Sequence, residues 1–231
     1  LEGIINHFSQ ADTAQIKFPE PLFYGIDEAQ GGNLTGQIPA YQKIRDKGGR
    51  SAGAVYGDYY ATLGGDADLI DFPIMNIEHS LPSEISIAID SIHADGHAVW
   101  SYHNPQFGVE RPALYRAQYG LPMWAAGLDG ECNFAYQWKM GSSLWNDFDH
   151  STYRELMMAY PTSNGVVGTI QWEGFREAVD DVKYLSTLLD LIDACKDGRS
   201  PGDAIYDAGV REEAYLARLT AELQEGGLSA G

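Results

Sequence analysis

The sequence predicts an α/β fold around a parallel sheet, on three observations. Short apolar runs alternate with helical stretches, several runs are apolar on both faces, and each ends in a polar or aromatic cluster. Strands separated by helices imply parallel pairing through right-handed crossovers. A sheet covered by helices leaves its strands without a polar face.

The elements follow in order. Pro21-Leu22-Phe23-Tyr24-Gly25-Ile26 is the first expected strand. A helix over residues 38–47 separates it from the second, Ser51-Ala52-Gly53-Ala54-Val55-Tyr56. Asp68-Leu69-Ile70-Asp71-Phe72-Pro73-Ile74-Met75 is the third. A helix over residues 83–93 leads to the fourth, Gly96-His97-Ala98-Val99-Trp100-Ser101-Tyr102. A helix over residues 112–126 leads to the fifth, Cys132-Asn133-Phe134-Ala135-Tyr136-Gln137-Trp138. From Trp172 onward, Phe175, Val179, Val182, Leu185, Leu189 and Ile192 recur at helical spacing as one apolar stripe. Gly198 and Pro201 stop that helix, and a second is expected over residues 211–224. Residues 1–195 are therefore expected to form the α/β domain, and 196–231 a helical tail packed on it or trailing from it.

Composition narrows the function classes. Of 231 residues, 44% are apolar and 12% aromatic, enough for a sizeable core. No apolar run reaches the roughly 18 residues a membrane span needs. A net charge of −18 repels nucleic-acid phosphates and anionic lipid surfaces, so neither is an expected partner. Cys132 and Cys195 are too few for a disulfide framework or a cysteine-built zinc site. His79, His93, His97 and His103 lack metal-ligand spacing, and no nucleotide-binding glycine loop, G-x-S-x-G, Cys-His arrangement or H-E-x-x-H occurs. No metal and no cofactor is expected. The start has no signal-peptide pattern and reads as a chain entered in the middle. Any export signal would lie upstream, which leaves the compartment unassigned and an extracytoplasmic or secreted setting compatible.

The strand ends are Asp27-Glu28, Tyr56-Gly57-Asp58, Asn76-Ile77-Glu78-His79, Tyr102-His103-Asn104 and Gln137-Trp138-Lys139. Parallel α/β folds bind ligands beyond the carboxyl ends of their strands, so a site belongs here. A barrel and a doubly wound open sheet both fit the alternation.

Three segments carry a family resemblance. Tyr24-Gly25-Ile26-Asp27-Glu28 resembles the strand-end Asp-Glu dyad of the β-N-acetylgalactosaminidases of glycoside hydrolase family 123 and related barrel domains. Trp100-Ser101-Tyr102 is similar to the aromatic end of a late strand in that family. The segment from Gly168 through Trp172, Glu173, Arg176 and Asp181 is similar to its closing helix, with an E-x-x-R-x-x-x-x-D pattern. The likeness spans most of residues 18–190. It implies a partial (β/α)8 TIM-type barrel, about strands 4 to 8, with a long C-terminal helix. Residues 24–28 would then be the fourth strand and residues 132–138 the eighth. Five strands cannot close a barrel and leave open edges. The N-terminal half of the barrel is accordingly expected outside this chain, which would be a fragment.

The resemblance also implies a chemistry. Glycoside hydrolysis needs a proton donor at the leaving oxygen and a negative group near the oxocarbenium-like centre. Retaining enzymes ordinarily supply a second carboxylate about 5 Å from the first. The fourth and fifth strand ends offer Trp100, Tyr102, His103, Gln137 and Trp138 but no carboxylate. That fits substrate-assisted cleavage of a β-linked N-acetylhexosaminide, in which the sugar's own 2-acetamido oxygen attacks. Glu28 would be the general acid/base, with its pKa raised by burial or by its neighbour's charge. Asp27 would orient the acetamido group. Consecutive strand residues point to opposite faces, so the chain must leave strand geometry near Glu28; Gly31 and Gly32 favour such a turn. Tyr102 is the expected donor to the acetamido carbonyl, and Trp100 or Trp138 a platform for a sugar face. Tyr24, Asn76 and His103 complete the expected set binding an oligosaccharide or glycan.

Each of these residues also has a plainer use. Asp-Glu can cap a helix, Trp100 and Trp138 can be core, and Asn76 and Asn104 can serve turns. Glu78 is a rival carboxylate, with which Glu28 could cleave sugars lacking the acetamido group. A non-catalytic carbohydrate-binding or scaffold barrel is the alternative from another class. Arg176 and Asp180, at i and i+4, form a helix-surface pair, and the whole 172–181 segment reads as structural.

Overall fold

Five parallel strands organise the first half of the chain in the computed structural model, which describes residues 21–78, 82–102, 108, 110–151 and 154–226. They are β1 (Leu22–Tyr24), β2 (Arg50–Tyr56), β3 (Phe72–Asn76), β4 (Trp100–Tyr102) and β5 (Gly130–Glu131). The sheet order follows the chain, β1-β2-β3-β4-β5, with every neighbouring pair parallel. A doubly wound sheet reverses its order at a switch point; these five strands do not. Right-handed crossovers that always advance in one direction place their connections on one face.

Register assigns side chains to the two faces. Tyr24 pairs with Ala52, Ala54 with Ile74, Ile74 with Trp100, and Tyr56 with Asn76 and through it with Tyr102. At strand spacing these residues share one face. The other face carries Ser51, Val55, Met75 and Ser101, all fully buried. Helices α1 (Gly31–Thr35) and α2 (Ile38–Asp46) follow β1, and the Tyr41 ring of α2 lies over Gly53 on this buried face. The third strand starts at Phe72 rather than Asp68 because α3 (Tyr59–Leu63) runs into a 3-10 turn, Gly64–Leu69. Arg45 pairs with Asp68 there at 2.9 Å, and Asp71 accepts from the Ser51 N–H at 2.8 Å. Helix α4 (Pro82–Ala94) buries Ile85, Ala88, Ile89 and Ile92, an i, i+3, i+4, i+7 stripe.

The chain divides into two compact units, Leu1–Tyr102 with Leu128–Cys132, and His103–Gly127 with Asn133–Gly231. The second unit holds α5 (Pro112–Gln118), α6 (Leu121–Ala125), α7 (Ile170–Lys196) and α8 (Ala204–Gly226). It also holds two antiparallel pairs, β6 (Gln137–Trp138) with β7 (Leu156–Met157), and β8 (Ala159–Thr162) with β9 (Gly165–Gly168).

Four further sequence expectations are corrected here. The single helix over 112–126 breaks at Tyr119-Gly120, where Gly120 takes a φ of 77°. The fifth strand of the parallel sheet is Gly130–Glu131, and Gln137–Trp138 belongs to a separate antiparallel pair. The buried line of α7 runs through Gln171, Gly174, Ala178, Leu185 and Ile192, while Val179 and Leu189 of the expected stripe are exposed. The cause is close helix approach. A Cβ on Gly174 would collide with the Pro112 carbonyl, and one on Gly120 with the Ala178 carbonyl. Gly174 and Ala178 therefore let the two backbones approach, and beside them Phe175 packs on Tyr115 and Tyr119. Arg116 of α5 clamps the same helix, reaching Asp181 through two nitrogens at 2.8 and 2.9 Å and Glu177 at 2.7 Å. Thr169 caps α7 by accepting the Trp172 N–H at 3.2 Å. Helix α8 begins earlier than expected, because Asp203 caps it through the Ile205 N–H at 2.8 Å. It packs on α7 through Leu216 against Leu185 and Ile192.

Candidate active site

The dyad sits where β1 leaves the sheet. The Gly25 N–H still bonds the Ala52 carbonyl at 3.0 Å, but the next amide, Ile26, donates to the Gln37 side chain at 2.5 Å instead. Gln37 is buried and also accepts from the Tyr41 hydroxyl at 3.2 Å. This crowding explains Gly25: any Cβ there would collide with Tyr41 and Gln37. Across the gap, the Ala54 N–H of β2 has lost a strand partner and donates to the Tyr24 hydroxyl at 3.1 Å. That hydroxyl in turn donates a hydrogen bond to Asp27 Oδ1 at 2.7 Å. The polar groups orphaned by the strand exit are thus taken up by side chains.

Glu28 then adopts a φ of 49°, the one positive φ outside glycine among the described residues. A left-handed conformation costs a residue with a Cβ about 1–2 kcal/mol. It also breaks the strand alternation that would send neighbouring carboxylates to opposite faces. Glu28 Oε1 accepts from the Tyr102 hydroxyl and, at 3.5 Å, from Asn76 Nδ2. Glu28 Oε2 accepts from the Tyr56 hydroxyl at 3.2 Å. Asn76 also donates to the Tyr102 hydroxyl at 3.2 Å. Tyr24, Tyr56, Asn76 and Tyr102 are the last residues of β1, β2, β3 and β4, all on one face. Four adjacent strands so aim their final side chains at two consecutive carboxylates.

The sequence matches no protein-family model and no curated protein.

The electrostatics keep the phenols as donors. Burial, then the bond to Asp27, pushes the Tyr24 phenol well above its ordinary value. Burial, then the bond to Glu28, does the same to Tyr102. Tyr56 rises through burial and then the Glu28 charge. Tyr24 also feels Glu28, and Tyr56 also feels Asp27, so both carboxylates act within one local field. Glu28 and Asp27 are both exposed. Two phenols and an amide pointing at Glu28 suit its ionised form.

The other expected residues fall into place one by one. Trp100 lies on the same sheet face one step below Tyr102, where its ring packs edge-on to Phe72 at 5.0 Å and directly over Gly130. Trp138 belongs to the second unit, tilted against Phe134 at 5.4 Å. Glu78 is exposed two residues beyond β3. His79, His103 and Asn104 lie outside the described residues. His93 pairs with Asp129 at 3.0 Å, and His97 meets the Asp68 carbonyl at 3.1 Å, both local fastenings. Burial raises the Cys132 thiol to about 11, which leaves it protonated at neutral pH. Sequence reasoning missed Tyr56 and Gln37. Tyr56 was legible as the last residue of its strand, in the position that Tyr102 holds in its own; Gln37 gave no signal.

Proposed function

We propose that this chain is part of a glycoside hydrolase of the family 123 type, acting on β-linked N-acetylhexosaminides by substrate-assisted retention. The observation that carries the proposal is the Asp27-Glu28 pair at the carboxyl edge of a sequential parallel sheet, ringed by Tyr24, Tyr56, Asn76 and Tyr102. Strands in chain order with one helix-covered face are what a barrel wall requires, and the face carrying the tyrosines would then be the barrel interior. On this reading β1 to β5 correspond to about strands 4 to 8, with the remaining strands contributed from outside residues 21–132.

The roles follow from the hydrogen bonds. Glu28 protonates the leaving oxygen while the substrate's acetamido oxygen attacks C1 on the opposite face. Asp27, steadied by Tyr24, accepts from the acetamido N–H and stabilises the positive charge developing there. Tyr102 redirects its hydrogen bond from Glu28 to the acetamido carbonyl as substrate binds. That transfer removes a donor that favours ionised Glu28, and so prepares it to carry a proton. Glu28 then takes the proton of the water that opens the cyclic intermediate.

The test pairs two aryl β-glycosides, one with a 2-acetamido group and one with a 2-hydroxyl. Wild-type protein is expected to turn over the first only. Glu28→Gln is expected to lose about 10²–10⁴-fold in rate while still binding the sugar. Equal rates on both glycosides, or undiminished turnover by the variant, would overturn the proposal. Binding without turnover in the wild type would indicate a carbohydrate-binding module instead.

A further inference from the structure

The geometry points to Tyr56 as a positioning residue for Glu28, fixing Oε2 while Tyr102 and Asn76 hold Oε1. This deepens the reading above and rests on Glu28 being the acid/base. The two tyrosines occupy equivalent places, since Tyr56 and Tyr102 both register on Asn76 from either side. Their bonds are not equivalent. Tyr102 shares its oxygen of Glu28 with Asn76, so that oxygen keeps a donor when Tyr102 leaves for a ligand. Tyr56 donates to the other oxygen. Its loss would remove a hold on that oxygen and loosen the carboxyl plane about the end held by Tyr102 and Asn76.

Among the described residues, the groups facing Glu28 include Asp27 and Tyr24 from the end of β1, Tyr56 from β2, Asn76 from β3 and Tyr102 from β4. Within this set Tyr102 is the member assigned to move and Tyr56 the member assigned to stay.

The experiment follows the Glu28 carboxyl by carbon-detected NMR titration in the substrate-free chain, comparing wild type, Tyr56→Phe and Tyr102→Phe. Removing a donor to the ionised form raises a carboxyl, so Tyr56→Phe is expected to shift the Glu28 midpoint upward by about half to one pH unit. An unchanged midpoint in a variant with native near-UV dichroism overturns the proposal. A second arm reads turnover. Tyr56→Phe should lower kcat with little change in KM and move the basic limb of the profile upward, whereas Tyr102→Phe should raise KM for the acetamido substrate. If both variants change KM alike, the division of labour is wrong. The NMR arm needs no activity, so failure of the glycosidase reading and failure of the Tyr56 assignment remain distinguishable. Should Tyr56→Phe fold poorly, 3-fluorotyrosine in place of Tyr56 gives the second handle: a more acidic phenol is a stronger donor to the ionised carboxylate and should lower the same midpoint, and an unchanged midpoint overturns the proposal.

Discussion

Two glutamates, one in each unit, gather several hydrogen-bond donors and use them to opposite ends. Glu155 is 2% exposed and accepts the backbone N–H groups of Met140 and Gly141 at 2.8 and 2.9 Å. Its donors belong to the main chain, so it immobilises the loop it touches. Glu28 is exposed, stands at a φ of 49°, and takes its donors from the side chains of Tyr56, Asn76 and Tyr102. Side-chain hydroxyls can rotate to a ligand and be replaced by it; peptide groups cannot. A carboxylate held by main chain is a rivet, and one held by side chains at a strand edge is available for chemistry.

The comparison can be broken most decisively by exchanging the consequences. Glu28→Gln should cost about 10²–10⁴-fold in turnover with little change in unfolding free energy, because its carboxylate is solvated. The outcome that sinks the contrast is a variant that is active but markedly less stable. Glu155→Gln should do the reverse, placing an amide N–H₂ against buried N–H groups and lowering stability by about 2–4 kcal/mol, while turnover well below the melting temperature persists. Denaturant titration of the second variant decides this. A smaller effect is expected from Tyr24→Phe, which strips Asp27 of a donor and the Ala54 N–H of its acceptor. About 1 kcal/mol of stability should go, together with a rise in KM for acetamido substrates; a neutral result would detach Asp27 from the sheet. The smallest is a matter of pH. Tyr60, bonded to Asp95, is raised from 10.0 to about 12 by burial and then by that bond. A phenol raised in the folded state contributes stability that is complete below pH 10 and lost as pH climbs toward 12. Tyr60→Phe should flatten the stability curve over that alkaline window, as followed by thermal melts.

The sheet was legible because its strands are bounded by turns and alternate with helices; β1 and β4 fall within the runs that the sequence marks, and β2 and β3 each pass theirs by one residue. The dyad was legible for the same reason, and so was the need for a turn at Glu28. What misled was aromatic alternation. Phe134, Tyr136 and Trp138 keep strand spacing but are 44%, 53% and 51% exposed, so their rings do not mark the buried face of a parallel strand. Hydrophobic spacing marked only part of the interior of α7: Leu185 and Ile192 are buried as expected, but Gly174 and Ala178 are buried too because the neighbouring backbone comes so close, and no hydropathy pattern registers a glycine as interior. Gln37 was silent because its role depends on a three-dimensional meeting with Ile26 and Tyr41.

The bridging hydroxyl of Tyr24 makes a peptide proton in the sheet a built-in sensor for the site. The Ala54 amide is sheltered from solvent by a side chain rather than by a strand, and that side chain is tied to Asp27. Hydrogen–deuterium exchange at this one position should slow when a ligand locks Asp27 and quicken when the carboxylate is removed. Occupancy of the site beside Asp27 would then be read from the backbone, without a chromogenic substrate.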